Sequence, residues 1–283
     1  MSTTARWKNR PPGSNWGEFG PDDQAGRMNL IDADKVRAGV AEVREGRSFC
    51  LSLPLDYPGG SILNPRRHPP TLRPTLRNGR PNMNYRLFVD GRATRSTSSA
   101  AALGIENMAV RCVQGRAVMI DLRAHFGDDR TAVGYEQLMR VLEADRIQVE
   151  TGDMVCLHTG FADRLLGMGG KPDAALADRL CAVLDGRDPR LLQWITDSGL
   201  AALIADNYAV EAHPATSHHG CCAALPLHEH CLFKLGVHLG ELWHLTPLAD
   251  WLRANRRSRF LLTAPPLRLP GAVGSPVTPV ATV

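Results

Sequence analysis

The chain has 283 residues, of which 43% are hydrophobic and 22% charged, and its formal net charge is +4 at pH 7. This balance predicts a globular protein with a sizeable core. It argues against a membrane protein, because no apolar run reaches the roughly 18 residues of a spanning helix. It also argues against nucleic-acid binding, because the arginines are scattered and aromatic residues make up only 6%. The N-terminal segment has no signal-peptide core, so we expect a cytoplasmic protein.

The chain contains seven cysteines, an odd number scattered mostly over apolar segments. This usage predicts reduced cysteines that pack as small core residues, and it argues against a disulfide framework. The residues concerned are Cys50, Cys112, Cys156, Cys181, Cys221, Cys222 and Cys231.

In chain order, the first signal is the segment WGEFGPDDQ, in which Trp16 fits an apolar slot and Asp22 and Asp23 favour a turn. Residues 32–46 then predict a helix, because Asp32 can cap its start. The predicted apolar face of this helix consists of Val36, Val40 and Val43.

Short apolar runs along the chain predict buried strands. They lie at 48–55, 117–122, 153–159, 200–206 and 259–264. Helical patterns occur at 134–145, 174–184, 188–198 and 226–236. This alternation predicts an α/β fold around one central sheet that is mixed or largely parallel. The tail from Pro265 is rich in proline and glycine and predicts an extended, packed arm.

Residues 56–99 interrupt this alternation. The segment is rich in arginine and proline and has almost no apolar periodicity. Such a composition predicts a long surface loop, or an ordered arm that crosses a neighbouring subunit.

Residues 205–245 concentrate the chemistry of the chain, because they hold seven of its ten histidines. Within them, His228 follows a Pro-Leu pair, and Glu241 comes thirteen residues later in an apolar run. A buried imidazole and a buried carboxylate are costly unless they are paired or used. A histidine near a carboxylate is the usual composition of a general base. The same pair can also be a hydrogen bond of the core, so spacing alone leaves both interpretations open.

Possible metal ligands also occur in this region, at His218, His219, Cys221 and Cys222. Side chains of adjacent residues point apart and chelate poorly, which favours a loop that lines a cleft, with His213 and His218 on its rim. Earlier in the chain, His158 ends a predicted strand. There it can touch a substrate or form a hydrogen bond with the backbone.

Taken together, eight segments resemble the cyclase family of metal-dependent hydrolases, which includes bacterial kynurenine formamidase and isatin hydrolase. They follow the family's order along nearly the whole chain: WGEFGPDDQAGRMNLI, FCLSLPLD, SAAALGIENMA, GRAVMIDL, VETGDMVCLHTGF, LIADNYAVEAHP, LPLHEHCLFKLGVHLGELWHL and APPLRLPGAVGSPVTPVA. The resemblance is to the longer-chain members. It implies one swivelling β/β/α domain over 1–283 with an extended N-terminal arm, and assembly as a homodimer or homotetramer. It also implies zinc or manganese that activates water against a small amide or carbonyl substrate.

The resemblance implies roles for two residues. The family's histidine after Pro-Leu falls on His228, which implies a general base for the metal-bound water. The family's late glutamate falls on Glu241, which implies a metal-site or base-orienting role. We therefore take His228 and Glu241 as the candidate catalytic residues.

The family's metal motif has no counterpart in this chain. It is patterned His-x-Gly-Thr-His-x-Asp-x-x-x-His, or Ser-x-x-Thr-Gln-x-Asp-x-x-x-His in longer members, and it is expected between Leu55 and Ala100. In that interval of the sequence the only histidine is His68, the only carboxylates are Asp56 and Asp90, and no Thr-His or Thr-Gln pair occurs. A water-activating cation needs about three fixed ligands and an open position. We therefore assign no metal ligand and expect the activity to be impaired.

Three hypotheses stay open. The first is an arylformamidase-like hydrolase of the C–N bond in a small amide or lactam, with little activity because the metal motif is lost. The second is a working enzyme whose substitute ligands are Asp206, Glu211 and the cluster around His218. The third is a catalytically silent homologue that acts as a binding or assembly partner, and a metal-independent polyketide-type cyclase is a further variant.

Overall fold

The computed structural model describes residues 9–55, 57, 71–77, 80–88, 103–169, 171–213, 215 and 223–283. The described strands are β1 (Ser48–Cys50), β2 (Thr71–Arg77), β3 (Arg80–Phe88), β4 (Gln114–Asp121), β5 (Thr131–Val133), β6 (Met154–His158), β7 (Ala182–Leu184), β8 (Ala202–Ala205), β9 (His238–Gly240), β10 (Arg259–Thr263) and β11 (Val280–Thr282).

The described helices begin with a short 3₁₀ helix at Gly26–Leu30. The α-helices are α1 (Ala33–Ala41), α2 (Ile105–Val110), α3 (Leu122–Phe126), α4 (Tyr135–Ala144), α5 (Phe161–Gly167), α6 (Ala174–Ala177), α7 (Pro189–Ser198), α8 (Pro226–His228) and α9 (Thr246–Ala254). A π-helix at Glu229–Leu235 directly continues α8. Among the residues that the structure describes, no helix is long and apolar enough to span a bilayer.

A seven-stranded mixed sheet forms the centre of the fold, in the order β1-β11-β10-β4-β6-β8-β9. Strands β4, β6, β8 and β9 are parallel to one another. Strands β10, β11 and β1 join them through antiparallel pairs. The predicted α/β class with a mixed central sheet is confirmed.

Both faces of this sheet are covered, as strand β6 illustrates. Met154 and Cys156 pack into one apolar cluster, whereas Val155 and Leu157 pack into another. Successive side chains of a strand point to opposite faces, so the two clusters lie on opposite sides of the sheet. Burial on both faces explains why the central parallel strands have apolar sequences without alternation.

Several sequence predictions are confirmed with small shifts at the ends. The runs at 117–122, 153–159, 200–206 and 259–264 form β4, β6, β8 and β10, and those at 134–145 and 188–198 form α4 and α7. The capped helix at 32–46 is α1, which is shorter, and the Asp32 side chain accepts from the Lys35 amide. The strand at 48–55 is reduced to β1. The tail is extended as predicted, and its end adds β11 between β1 and β10.

Other predictions were wrong or only partly confirmed. The helix at 174–184 ends at Ala177, and residues 182–184 form β7, which pairs with β5. All three residues of β7 are buried, and a short apolar run fits either a buried strand or a buried helix. The segment 226–236 is helical, but most of it is π-helix. Val40 is 54% exposed, because Gly39 is the α1 residue that packs against Gly115 of β4.

The segment 56–99, predicted as a loop or arm, contains the antiparallel hairpin β2–β3. The rest of 56–99, apart from Tyr57, lies outside the described residues, as do Asp56, His68 and Asp90.

The N-terminal segment is fastened to the body of the protein. The Trp16 indole donates to the carbonyl of Phe233 at 2.7 Å, and the two rings pack edge to face at 5.0 Å. Asp23 accepts from the Gly26 amide at 2.7 Å, which confirms the predicted turn. Arg27 is 5% exposed and its guanidinium donates to three carbonyl groups at the end of α7 and beyond it, those of Ile195, Thr196 and Leu200.

A buried ion network lies at the opposite end of the parallel strands. Asp153, whose side chain is fully buried, accepts from the Arg116 guanidinium at 2.9 and 3.1 Å and from Lys35 at 3.0 Å. The Glu150 amide also donates to Asp153, at 2.8 Å. These bonds satisfy a carboxylate that would otherwise be costly to bury.

The described cysteines are free. Cys156, Cys181 and Cys231 are buried, which agrees with the predicted core role, whereas Cys50 and Cys112 are exposed.

Candidate active site

Polar residues gather where the parallel strands end. Asp121 is the last residue of β4 and His158 the last of β6, while Asp206 directly follows β8 and Glu241 directly follows β9. The carboxyl ends of parallel strands lie at one edge of a sheet, where open α/β sheets bind their ligands. This edge is therefore the candidate active site.

Glu211, His228 and Glu241 form a continuous chain of hydrogen bonds at this edge. Nδ1 of His228 lies 2.9 Å from Oε1 of Glu211, and Nε2 lies 3.2 Å from Oε1 of Glu241. The Glu211 side chain is fully buried, whereas those of His228 and Glu241 are each 20% exposed. The chain of bonds thus leads from the buried Glu211 to His228 and Glu241, which are both partly exposed. The two residues predicted from the sequence are brought together here.

Strained backbone flanks both carboxylates of this chain. Ala209 and Val210 have φ angles of 73° and 60° and directly precede Glu211, and Leu242, with φ of 57°, directly follows Glu241. Left-handed backbone costs an L-residue roughly 1–2 kcal/mol, and it is least common for β-branched residues such as valine. Strain of this kind concentrates at functional sites. Here it belongs to the turns that carry the two carboxylates.

The two carboxylates change the acidity of His228. Burial alone would lower the pKa of this imidazole, but the hydrogen bonds and charges of Glu211 and Glu241 outweigh burial and raise it to about 9. The imidazole therefore holds two protons at neutral pH and becomes a base only at higher pH.

His158 belongs to a second chain of polar groups. Its Nδ1 lies 2.8 Å from Oδ1 of Asp121, and its Nε2 lies 3.1 Å from Oγ1 of Thr246. Arg253 donates to the other oxygen of Asp121. Burial raises the pKa of Asp121, but the bonds from His158 and Arg253 lower it to about 2. His158 is only 2% exposed, so it connects the ends of β4 and β6 to α9 and is not presented to a substrate.

Asp206 is fully occupied by the turn that follows β6. Its carboxylate accepts from the Thr159 amide, the Thr159 hydroxyl and the Gly160 amide, each at 2.7 Å. The side chain is completely buried, and burial raises its pKa. These three donors assign Asp206 to the structure of the turn between β6 and α5.

The described residues do not fit a metal centre. Within the described part of the chain, no three histidine, cysteine, aspartate or glutamate residues are grouped so that they could hold an ion. Asp206 and Glu211, two of the substitute ligands considered above, already accept hydrogen bonds from several donors, and both ring nitrogens of His228 face carboxylates. The cluster at 218–222 lies outside the described residues.

Glu211 is the site residue whose bond to His228 was missed in the sequence, because it was considered only as a substitute metal ligand. Its partners lie 16 and 17 residues further along the chain, so no local periodicity links them. The one available signal was an acidic residue in the apolar segment NYAVEA.

Comparisons with known proteins agree with the resemblance. Residues 88–212 match the family model described as "Putative cyclase". This match includes Glu211 but ends before His228 and Glu241. A crystal structure described as that of a novel cyclase aligns with a TM-score of 0.79 and 26% sequence identity, over 97% of this chain and 100% of the other. No protein among the curated sequences matches this chain significantly.

More distant structures share the fold. Isatin hydrolase A from Labrenzia aggregata, bound to benzyl benzoate, aligns with a TM-score of 0.56 and 13% identity, over 83% of this chain and 93% of the other. The Ralstonia solanacearum isatin hydrolase A aligns with a TM-score of 0.56 and 16% identity, over 88% and 95%. A potential metal-dependent hydrolase with cyclase activity aligns with a TM-score of 0.51 and 14% identity, over 83% and 96%.

Proposed function

We propose, from the match to the cyclase family, that this chain is an arylformamidase-like hydrolase of the C–N bond in a small amide or lactam. The observation that carries the proposal is the Glu211–His228–Glu241 chain of hydrogen bonds at the carboxyl edge of the parallel strands. In this proposal, His228 is the general base, and Glu241 faces its Nε2 and stabilises the protonated imidazole that forms when His228 takes up a proton.

The geometry supports the following steps. The neutral His228 imidazole takes a proton from a water molecule as the water oxygen attacks the carbonyl carbon of the substrate. The C–N bond then breaks, and the proton on His228 passes to the leaving nitrogen. Because the pKa of His228 is about 9, only about 1% of the imidazole is neutral at pH 7. A low rate at neutral pH follows.

The role of a metal in this chain is a separate part of the proposal. One of the structures that share the fold is described as a potential metal-dependent hydrolase, but the residues described here do not form a metal centre. We therefore propose that activity dependent on zinc or manganese is impaired in this chain. No step above requires a metal.

A second candidate is a metal-independent cyclase of the polyketide type. It is favoured by one observation, which is that both ring nitrogens of His228 are paired with carboxylates, as suits a base that works without a metal. A catalytically silent homologue, acting as a partner within a homodimer or homotetramer, is the outcome if the full-length protein hydrolyses nothing.

Two measurements test the proposal. The first is hydrolysis of an aryl formamide and of an isatin-like lactam by the full-length protein and by His228→Gln. A matched control is His125→Gln, because His125 also lies 2.9 Å from a carboxylate, that of Asp145, but outside the site. We expect His228→Gln to lose at least about 100-fold in rate and His125→Gln to keep the parent rate. Equal rates for the parent and His228→Gln would overturn the assignment.

The second measurement is elemental analysis of the purified protein before and after dialysis against a chelator. A stoichiometric, tightly held ion would contradict the impaired metal site and would direct the search for ligands to residues outside the described ranges. Absence of hydrolysis, with or without added zinc or manganese, would favour the silent homologue.

A further inference from the structure

Glu211 makes three hydrogen bonds to His228 and to the residue before it. Its Oε1 accepts from the backbone amide of His228 at 3.0 Å and faces Nδ1 of the same residue at 2.9 Å. Its Oε2 accepts from the Leu227 amide at 3.0 Å. The side chain is fully buried, so a substrate cannot reach it. Among the described residues, the hydrogen-bond partners of this carboxylate belong to the first turn of α8, which carries His228.

The backbone holds Glu211 in place from the other side. Residue 211 forms a parallel bridge with Leu184 of β7. The Leu184 amide donates to the Val210 carbonyl, and the Ala212 amide donates to the Leu184 carbonyl. The carboxylate is thus fixed relative to β7 before it meets α8. The strained residues 209 and 210 are the turn that brings the chain to this position.

Gly186 makes room for the carboxylate. A Cβ atom on Gly186 would collide with Oε2 of Glu211 and would come within 3.1 Å of Cβ of Leu227. Its φ angle is not in the left-handed region, so an alanine there is acceptable to the backbone. Glycine is therefore required at this position because a larger residue would occupy the space of the Glu211 side chain.

We propose that Glu211 is a positioning residue that keeps a proton on Nδ1 of His228, so that Nε2 is the nitrogen presented to Glu241 and to the substrate. The two carboxylates compete for the single proton of the neutral imidazole. Glu211 wins this competition because its bond is shorter, 2.9 against 3.2 Å, and is shielded from water. A hydrogen bond in a low-dielectric interior is stronger than one shared with solvent.

The catalytic meaning of this inference rests on the proposed function, but its test does not. Two-bond ¹H–¹⁵N correlation spectra of the full-length, ¹⁵N-histidine-labelled protein report which ring nitrogen of His228 carries the proton. The measurement is made at a pH where the imidazole is neutral, and His228→Gln identifies the signal. We expect the Nδ1–H tautomer in the parent protein. In Glu211→Ala we expect the Nε2–H tautomer, because Glu241 is then the remaining carboxylate.

Two further variants separate positioning from a merely structural role. Glu211→Gln should restore the Nδ1–H tautomer, because its amide oxygen can stay on the His228 side. Glu241→Gln should also keep this tautomer, because Glu211 is intact. Nδ1–H in Glu211→Ala, or Nε2–H in the parent protein, would overturn the inference.

Gly186→Ala provides a test that leaves the carboxylate in the protein, should Glu211→Ala fail to fold. The added methyl group displaces Oε2 of Glu211, so we expect a mixture of tautomers and a fall in kcat with little change in KM. If Gly186→Ala retains the parent tautomer and kcat, the inference is wrong. If the tautomers behave as expected but the parent protein hydrolyses nothing, the proposed function fails while the positioning role stands.

Discussion

Replacement of Glu241 by glutamine tests how the acidity of His228 arises. The pKa of His228 is about 9 because two carboxylates outweigh the effect of burial. Across the 3.2 Å between Nε2 and Oε1, the attraction of unit charges in bulk water is about 1.3 kcal/mol, which corresponds to roughly one pH unit. Glu241 is partly buried, so its contribution exceeds this lower bound. We therefore expect Glu241→Gln to lower the pKa of His228 by about one to two pH units.

The assay is a ¹H NMR titration of the His228 Cε1 proton in the parent protein and in Glu241→Gln. The matched control is Glu229→Gln, since Glu229 is the residue after His228 and its 44% exposed side chain pairs with Lys234. The control should leave the titration midpoint within about 0.3 pH units, as expected for a screened surface charge. A midpoint that stays near 9 in Glu241→Gln would refute the reasoning. It would show that Glu211 alone sets the acidity of the imidazole.

Three other predictions follow from the same structure. If His228 is the general base, the hydrolysis rate should rise about tenfold per pH unit above pH 7 and level off near pH 9; a rate that is flat or falls over this range would contradict the role. Asp153→Asn should lower the free energy of unfolding by about 3 kcal/mol, the low end for a broken buried pair, because Lys35 and Arg116 then keep only the 41% exposed Glu150 as a carboxylate partner. Asp34→Asn, at an exposed pair, should change it by less than about 0.5 kcal/mol, and equal urea midpoints for the two variants would be evidence against the buried network. Burial lowers the pKa of His238 from 6.5 to about 4, so the unfolded chain binds this proton first. The free energy of unfolding that the neutral His238 contributes is fully present above about pH 6.5 and falls by at most about 3 kcal/mol as the pH is lowered toward 4. In His238→Asn the urea midpoint should therefore fall less over this pH range than in the parent protein. Equal falls in the two proteins would contradict this prediction.

The sequence predicted the parts of the fold whose signals are local. Strand β8 and the first four residues of β6 are apolar, as expected for strands that are buried on both faces, and this property can be recognised in a short segment. The cap of α1 is equally local, since Asp32 and the Lys35 amide are three residues apart. Strand β7 could not be predicted in the same way, because its three residues become a strand only by pairing with the distant β5.

The same distinction between local and long-range signals applies to the candidate site. His228 and Glu241 were predicted as candidates because each stands out within its own segment, and the structure places them 3.2 Å apart. The role of Glu211 depends on contacts with residues 16 and 17 positions later, and that of Gly186 depends on the space that Glu211 occupies. A sequence read segment by segment does not contain either relation.

The π-helix at Glu229–Leu235 makes the site sensitive to the length of the chain. Backbone hydrogen bonds in a π-helix join residues five apart, whereas those in an α-helix join residues four apart. π-Helical turns are often found at functional sites. Deleting one residue from this segment would allow it to close as an α-helix and would turn everything before it by about 100°. His228 lies immediately before the π-helix, so such a deletion would carry its ring away from Glu241. The loss of a single residue from the π-helix is therefore expected to separate His228 from Glu241.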